Sequence, residues 1–553
     1  MSRIPIRVCT CQRAAVPPFA STSRRFASTS SNSPLNNSLS KGKGKAKSKD
    51  KYPGWKPTIG VELHVQLKGN QKLFSKAVSQ HDDLPNSHVA LLDASLPGAL
   101  PVLQSNPVRL ALLACLAFES DINLNSSFDR KHYFYPDQPM GYQITQKYSP
   151  LAKGGKIRIR TANGKEEFVE VRLDQVQLEQ DTAKSFHDPS IDGTLIDLNR
   201  AGTALIEIVT QPDLSSAEEA ASFVKTLQAI LRHVGASGAN MERGELRCDV
   251  NVSVQRADDP IGSGTRCEVK NLNGVRFIAG AIESEISRQI SLLSRNEPVI
   301  QSTRGYDALT GKTFHLRSKE DAPDYRYFPD PELGQIAITQ IQLDQLRSTL
   351  PELPEAAFLR LQSEYSLSAR DAGILVALGE GIDQDAEGAG EGSASIGVTY
   401  FERVAKGRES KIAANWVIHE LLGQLTKSGL TLLNNPIKPE ELGQLVDAVT
   451  ENRLTGTNAK ALLKDYLSSS TLSTSPSFSS QLSTVLASSP PPPSADSFLP
   501  LVLEIIDSYP AEVEKIKKGQ TKVVMRLVGE LMKRSGGKAD AKWARKEFEE
   551  RLK

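Results

Sequence analysis

Three short segments alternate between apolar and polar residues, and this period of two constrains the chain more than any other feature. In Ile59 to Leu67, Val61, Leu63, Val65 and Leu67 fall on one side while Glu62, His64 and Gln66 fall on the other. Successive side chains of a strand face opposite sides of a sheet. Arg247 to Val254 repeats the arrangement, setting Arg247, Asp249, Asn251 and Ser253 against Cys248, Val250, Val252 and Val254. Arg266 to Lys270 sets Arg266, Glu268 and Lys270 against Cys267 and Val269. The pattern predicts a half-buried sheet whose open face carries carboxylates, an imidazole and cations. One such strand reads as an ordinary solvated face. Three in one chain, each placing ionisable groups two residues apart (roughly 7 Å), predict a surface able to share a metal ion or a phosphate.

The 553 residues leave room for two to four domains, and 39% hydrophobic with 24% charged residues is the composition of a soluble globular protein. No apolar run approaches the length of a membrane span. Residues 1–49 lack Asp and Glu but carry Arg3, Arg7, Arg13, Arg24, Arg25 and five lysines among many Ser and Thr. That composition predicts a mitochondrial transit segment processed near Arg24, Arg25 and Phe26, with a basic lead to residue 50 and a matrix destination. A basic tail that binds nucleic acid is the alternative. Residues 51–553 hold 57 basic and 64 acidic side chains, so any RNA contact there must come from local patches. Cys115, Cys248 and Cys267 show no metal-ligand spacing and are predicted core residues.

The predicted organisation is α+β: a domain over 55–345 built on an antiparallel sheet, a helical domain over 350–436, and a helical tail over 437–553. The clearest helix runs from Ser216 to Val234, with Ser216 and Glu219 as a capping box, Gly235 as a stop, and an apolar stripe for the back of the sheet. An acidic, Gly-rich insert (383–397) is expected to be flexible, and a Ser/Pro-rich insert (468–497) to be disordered. The stretch from Leu499 to Lys553 holds 13 basic and 9 acidic residues, which makes it either a secondary RNA contact or a solvated helix face.

Gly305 to Thr313 has the wrong spacing for a phosphate-binding P-loop, and no buried strand leads into it. Phosphate chemistry would instead use acids, metal and cations on the sheet. Glu179 and Asp181, with Lys184 just beyond, offer hard oxygen ligands. Arg130, Lys131 and His132 precede Tyr133, Phe134 and Tyr135, and Asp324 to Pro329 has similar character. Cations beside aromatic rings suit the splayed end of a single strand; a packed aromatic loop is the other reading.

Taken together, these blocks resemble the B subunits of tRNA-dependent amidotransferases. The resemblance rests on Ile59 to Leu67, Phe128 to Gln143, Asp197 to Thr203, Leu205 to Val209, Leu246 to Asn251, Glu268 to Asn273 and Asp324 to Pro329. It implies a cradle-shaped α+β domain, a helical domain and a small helical tail. It also implies ATP- and Mg²⁺-dependent phosphorylation of the glutamate side chain on Glu-tRNA(Gln), followed by amidation with ammonia. By similarity Glu62, His64, Glu179 and Glu268 hold Mg²⁺. Arg130, Lys131, Tyr133, Arg247 and Lys270 bind the nucleotide, and Glu62, His64, Lys131, Glu179, Asp249 and Lys270 carry the chemistry. Where the family has two glutamates this chain has Glu179-Gln180, and Glu245 is a candidate compensating carboxylate. The chain lacks an amidase Ser-Ser-Lys stretch, so a separate amidase (glutaminase) A subunit is implied, with a small third subunit. Two other readings stand beside this one: a non-catalytic tRNA-binding scaffold, and a ligase acting on a free small carboxylate.

Overall fold

The computed structural model describes residues 51–552 apart from 81–82, 134–137, 161–167, 189, 192, 261, 319–323, 379–395, 452, 469–476, 489–497, 518–522, 536–538 and 540. The predicted transit segment, and residues 383–395 of the acidic insert, lie outside the described residues.

The alternating segments become neighbours in one sheet of ten strands. Its centre runs Cys267–Leu272, Leu246–Arg256, Trp55–Gln66, Ala204–Thr210, Phe168–Gln180. All pairings in this sheet are antiparallel except that of Cys267–Leu272 with Ser302–Asp307. Val61, Leu63, Val65, Cys248, Val250, Val252 and Val269 are all buried in the first hydrophobic core, which the period of two predicted. Helices Ala217–His233 and Val275–Ser294 and the apolar helix Ser105–Ala117 contribute to the same core. The Ser216 hydroxyl accepts from the Glu219 amide at 3.1 Å, as expected of an N-cap. The Glu219 carboxylate reaches one residue further back than a capping box requires, to the Ser215 amide at 2.8 Å. Ser302–Asp307 and Lys312–Ser318 form an antiparallel hairpin, not the strand–loop–helix of a P-loop.

Beyond residue 350 the chain is helical. A second hydrophobic core runs from Ala357 to Leu482, and a third from Val502 to Leu552. One expectation fails here. Phe478–Ser488, inside the segment expected to be disordered, is a helix with Phe478 and Leu482 buried in the second core. Phe478, Leu482, Val485 and Leu486 sit at helical spacing, and that stripe outweighs the serines between them. No helix among the described residues is long and apolar enough to cross a membrane.

Candidate active site

Register places the ionisable residues in one row across five strands. Glu62 pairs with Asp249, and His64 pairs with Arg247 on one side and Glu207 on the other. Glu207 pairs with Gln177, Leu205 with Glu179, and Asn251 with Glu268. Directly opposed residues share a face. Gln177, Glu179, Glu207, Glu62, His64, Arg247, Asp249 and Glu268 therefore cover the face opposite the core.

A small three-stranded sheet, Phe328–Pro329, Asp129–His132 and Tyr142–Thr145, supplies the wall of this surface. From it Thr145 donates to one oxygen of the buried Glu179 at 2.5 Å, and Gln143 donates to the other at 3.2 Å. Gln177 donates to Glu179 at 2.9 Å and to Glu207 at 2.7 Å. His64 Nε2 lies 3.6 Å from Glu179 and 3.7 Å from Glu207. Burial works to raise the Glu179 carboxyl, but His64, Lys131 and its hydrogen bonds hold it below the usual range. Glu207 goes the other way: burial, then the charges of Glu179 and Glu62, push it well above. The two shifts run in opposite directions because adjacent carboxylates disfavour each other's charge, and His64 and Lys131 favour that of Glu179.

Ligand atoms of Glu62, His64 and Glu207 all lie within 4.8 Å of one another, close enough to hold one ion. The set offers two hard carboxylates with Glu179 beside them, and a divalent cation would offset the crowding of negative charge that raises Glu207. The residues present therefore fit Mg²⁺. Glu268, expected among the ligands, sits two strands away from Glu62, where it is held by Lys270 at 3.0 Å and Thr303 at 3.1 Å.

Beside this group is a cavity of about 330 Å³ lined by His64, Lys131, Tyr133, Arg247 and Asp249 among others. The Lys131 ammonium lies 4.9 Å from the centre of the Tyr325 ring. Burial alone would lower its pKa, but Glu179 and further neighbours hold it above the ordinary value. Lys270 contacts Asp249 at 2.7 Å, and its pKa is likewise raised, with Asp249 and Glu268 overcoming the effect of burial. Tyr133 donates to Gln143 at 2.9 Å, and burial is the main cause pushing its hydroxyl up to about 12. Arg247 is braced at 2.6 Å by the buried Asp181, which Arg200 also contacts at 2.6 Å.

Three positions that the sequence singled out sit elsewhere. Arg130 precedes Lys131 on its strand and so faces the other way, pairing with Asp330 at 2.7 Å and Glu332 at 3.2 Å and stacking over Tyr142. Gln180 follows Glu179, and its amide turns to the Met140 sulfur at 3.4 Å. The Glu-to-Gln departure therefore removes no charge from the group around His64. Glu245 accepts from the Asn240 amide at 3.0 Å and packs where a side chain on Gly238 would collide with it. The sequence pattern gave no role to Glu207, Gln177, Gln143 or Thr145. For Glu207 the signal was a single carboxylate in the otherwise apolar run Ala204-Leu205-Ile206-Glu207-Ile208-Val209.

Known proteins share the sequence that builds this polar-faced antiparallel sheet. Residues 57–344 match the model described as GatB/GatE catalytic domain, and residues 399–552 match the GatB domain. The chain is 42% identical to the B subunit of the mitochondrial glutamyl-tRNA(Gln) amidotransferase of Mycosarcoma maydis, over 90% of this chain and 86% of that one. Its identity to the protein of the same name in Cryptococcus neoformans var. neoformans is 46%, over 88% and 92%. The B subunit of the aspartyl/glutamyl-tRNA(Asn/Gln) amidotransferase of Methylorubrum extorquens is 45% identical over 74% and 80%. The chain belongs to the GatB family of amidotransferase B subunits and is one of its mitochondrial members.

Proposed function

We propose that this protein activates the side-chain carboxylate of glutamate esterified to tRNA(Gln), using ATP and Mg²⁺, and that ammonia then converts it to Gln-tRNA(Gln) in mitochondrial translation. The observation that carries the reading is opposed charge around one cavity. His64, Asp181 and Asp249 line it together with Lys131 and Arg247, and Glu62 and Glu207 hold ligand atoms within 4.8 Å of the His64 imidazole. A carboxylate oxygen of the substrate attacks the γ-phosphorus and ADP leaves. Ammonia nitrogen then attacks the acyl carbon, losing a proton as phosphate departs. Mg²⁺, when bound by Glu62, His64 and Glu207, supplies charge neutralisation at the phosphate oxygens.

The chain's own residues do the remaining work. Lys131 and Lys270, both held protonated by neighbouring carboxylates, provide fixed positive charge for the transferring phosphoryl group. Glu179, locked by Thr145, Gln143 and Gln177, fixes the position of His64. Tyr133 and Arg247 line the cavity, where they would meet the adenine nucleotide or the terminal nucleotide of the tRNA. An amidase A subunit supplies the ammonia and a small third subunit completes the complex, in keeping with relatives that are named as B subunits. The experiment is ADP release by the assembled complex without any ammonia source. Release that requires Glu-tRNA(Gln) supports carboxylate activation, whereas equal release with uncharged tRNA sinks it.

A further inference from the structure

A second and larger cavity, about 650 Å³, lies away from the acidic group. Its walls come from the strand Lys156–Arg160 and the helices Ala217–His233, Pro354–Tyr365 and Ala369–Ala377. Four cations line it: Arg158, Arg160, Lys225 and Arg370. Among the described residues in the lining Glu355 is the single carboxylate, and it is engaged with Arg158 at 3.2 Å. Arg160 stacks 4.3 Å over the Phe358 ring. Lys225 and Arg370 are exposed, and neither forms an ion pair with a described residue. On a body whose residues 51–553 carry more acids than bases, so positive a groove is a local exception.

The long strand Phe168–Gln180 measures the separation. Arg160 pairs with Phe168 at one end, and Glu179 lies eleven residues on. At a rise of about 3.3 Å per residue the groove stands about 36 Å along the strand from Glu179 and the acidic group around it. Nothing the size of a nucleotide reaches both. A folded RNA does, and its backbone supplies the negative charge the groove lacks.

We propose that this groove is a docking surface for the phosphodiester backbone of the tRNA body, remote from the aminoacylated end. The proposal rests on the reading that charged tRNA is the substrate. Phosphates would sit against Lys225, Arg370 and Arg160, and the apolar floor at Phe168 and Phe358 would take a ribose face.

The test uses the assembled amidotransferase complex carrying Lys225→Glu and Arg370→Glu, with the milder Lys225→Gln, Arg370→Gln pair beside it should the reversal fail to fold. Binding of tRNA(Gln) is measured without ATP over a series of salt concentrations. The proposal expects roughly tenfold weaker binding near physiological salt and a salt slope lower by about 1 to 2, since each phosphate contact contributes about 0.7 to 0.9. The KM for Glu-tRNA(Gln) should rise while kcat holds. Unchanged affinity and slope would overturn it. So would loss of another subunit from the complex with tRNA affinity intact, which would make the groove a protein interface. Binding without ATP is read apart from amidation, so failure of the reaction reading leaves this result standing.

Discussion

The two faces of the central sheet come from the same strands, yet they do opposite things with burial. On the core face, Leu63, Val65, Val250 and Val252 are fully buried, and any apolar side chain of similar volume would satisfy the requirement. On the other face burial falls on charges. Glu179 is wholly buried and Glu207 nearly so, and the donors Thr145 and Gln177 offset the cost. One face gives stability through quantity of apolar contact, while the other stores chemistry in a few unexchangeable contacts.

The comparison breaks most visibly if a change on the polar face leaves activity alone. Lys270→Ala removes a half-buried cation from Asp249 and Glu268. It should lower ATP-dependent amidation by about 10³-fold, of the order seen when a transition-state donor is removed. Steady-state assays with ammonium as donor, on protein of unchanged circular dichroism, check this.

Asp181→Asn separates the mixed role of this face, because Asp181 is a buried brace and not a reacting group. Leaving Arg200 and Arg247 without their carboxylate should cost about 3 to 5 kcal/mol in denaturant unfolding. Burial works against the charged form, but Arg200 and Arg247 depress the pKa of Asp181 below its unfolded value. Its contribution is therefore complete above a pH of about 4, the unfolded carboxylate value, and is lost as pH falls through the folded one. The stability gap between wild type and variant should be level near neutrality and close in acid.

Leu63→Ala probes the core face. A loss of about 2 to 5 kcal/mol, with kcat retained by the folded fraction, is expected at this fully buried position. A loss of kcat without a loss of stability would mean that the two faces are not separable. The smallest effect is expected of Glu245→Ser. Its carboxylate holds the Asn240 amide, so the change should cost about 1 kcal/mol and leave the Mg²⁺ dependence as it was. A shifted Mg²⁺ optimum would restore Glu245 as a compensating ligand for the amide at Gln180.

The apolar face and most of the polar face were legible because alternation alone assigns their sides. Glu62, His64, Asp249 and Glu268 needed no more than the period of two. Applied to the strand Phe168–Gln180, the same rule separates Glu179 from Gln180, and on Asp129–His132 it separates Lys131 from Arg130. Reading Arg130 and Lys131 together as a basic cluster overlooked it. Glu207 was hidden because Ala204–Thr210 is buried along almost its whole length, so its sequence is almost continuously apolar and shows no alternation. Gln143 and Thr145 arrive from a separate small sheet whose placement depends on contacts far apart in sequence, and local pattern carries no trace of that.

The central claim is that the chemistry belongs to the polar face of this sheet. The most direct measurement takes Glu62→Gln, in complex with its amidase partner, and follows Gln-tRNA formation from Glu-tRNA(Gln) with ammonium as donor, alongside tRNA affinity and unfolding. The account predicts amidation lost by about 10³-fold with tRNA affinity and stability close to wild type. Amidation at the wild-type rate would contradict it and leave this chain as a tRNA scaffold.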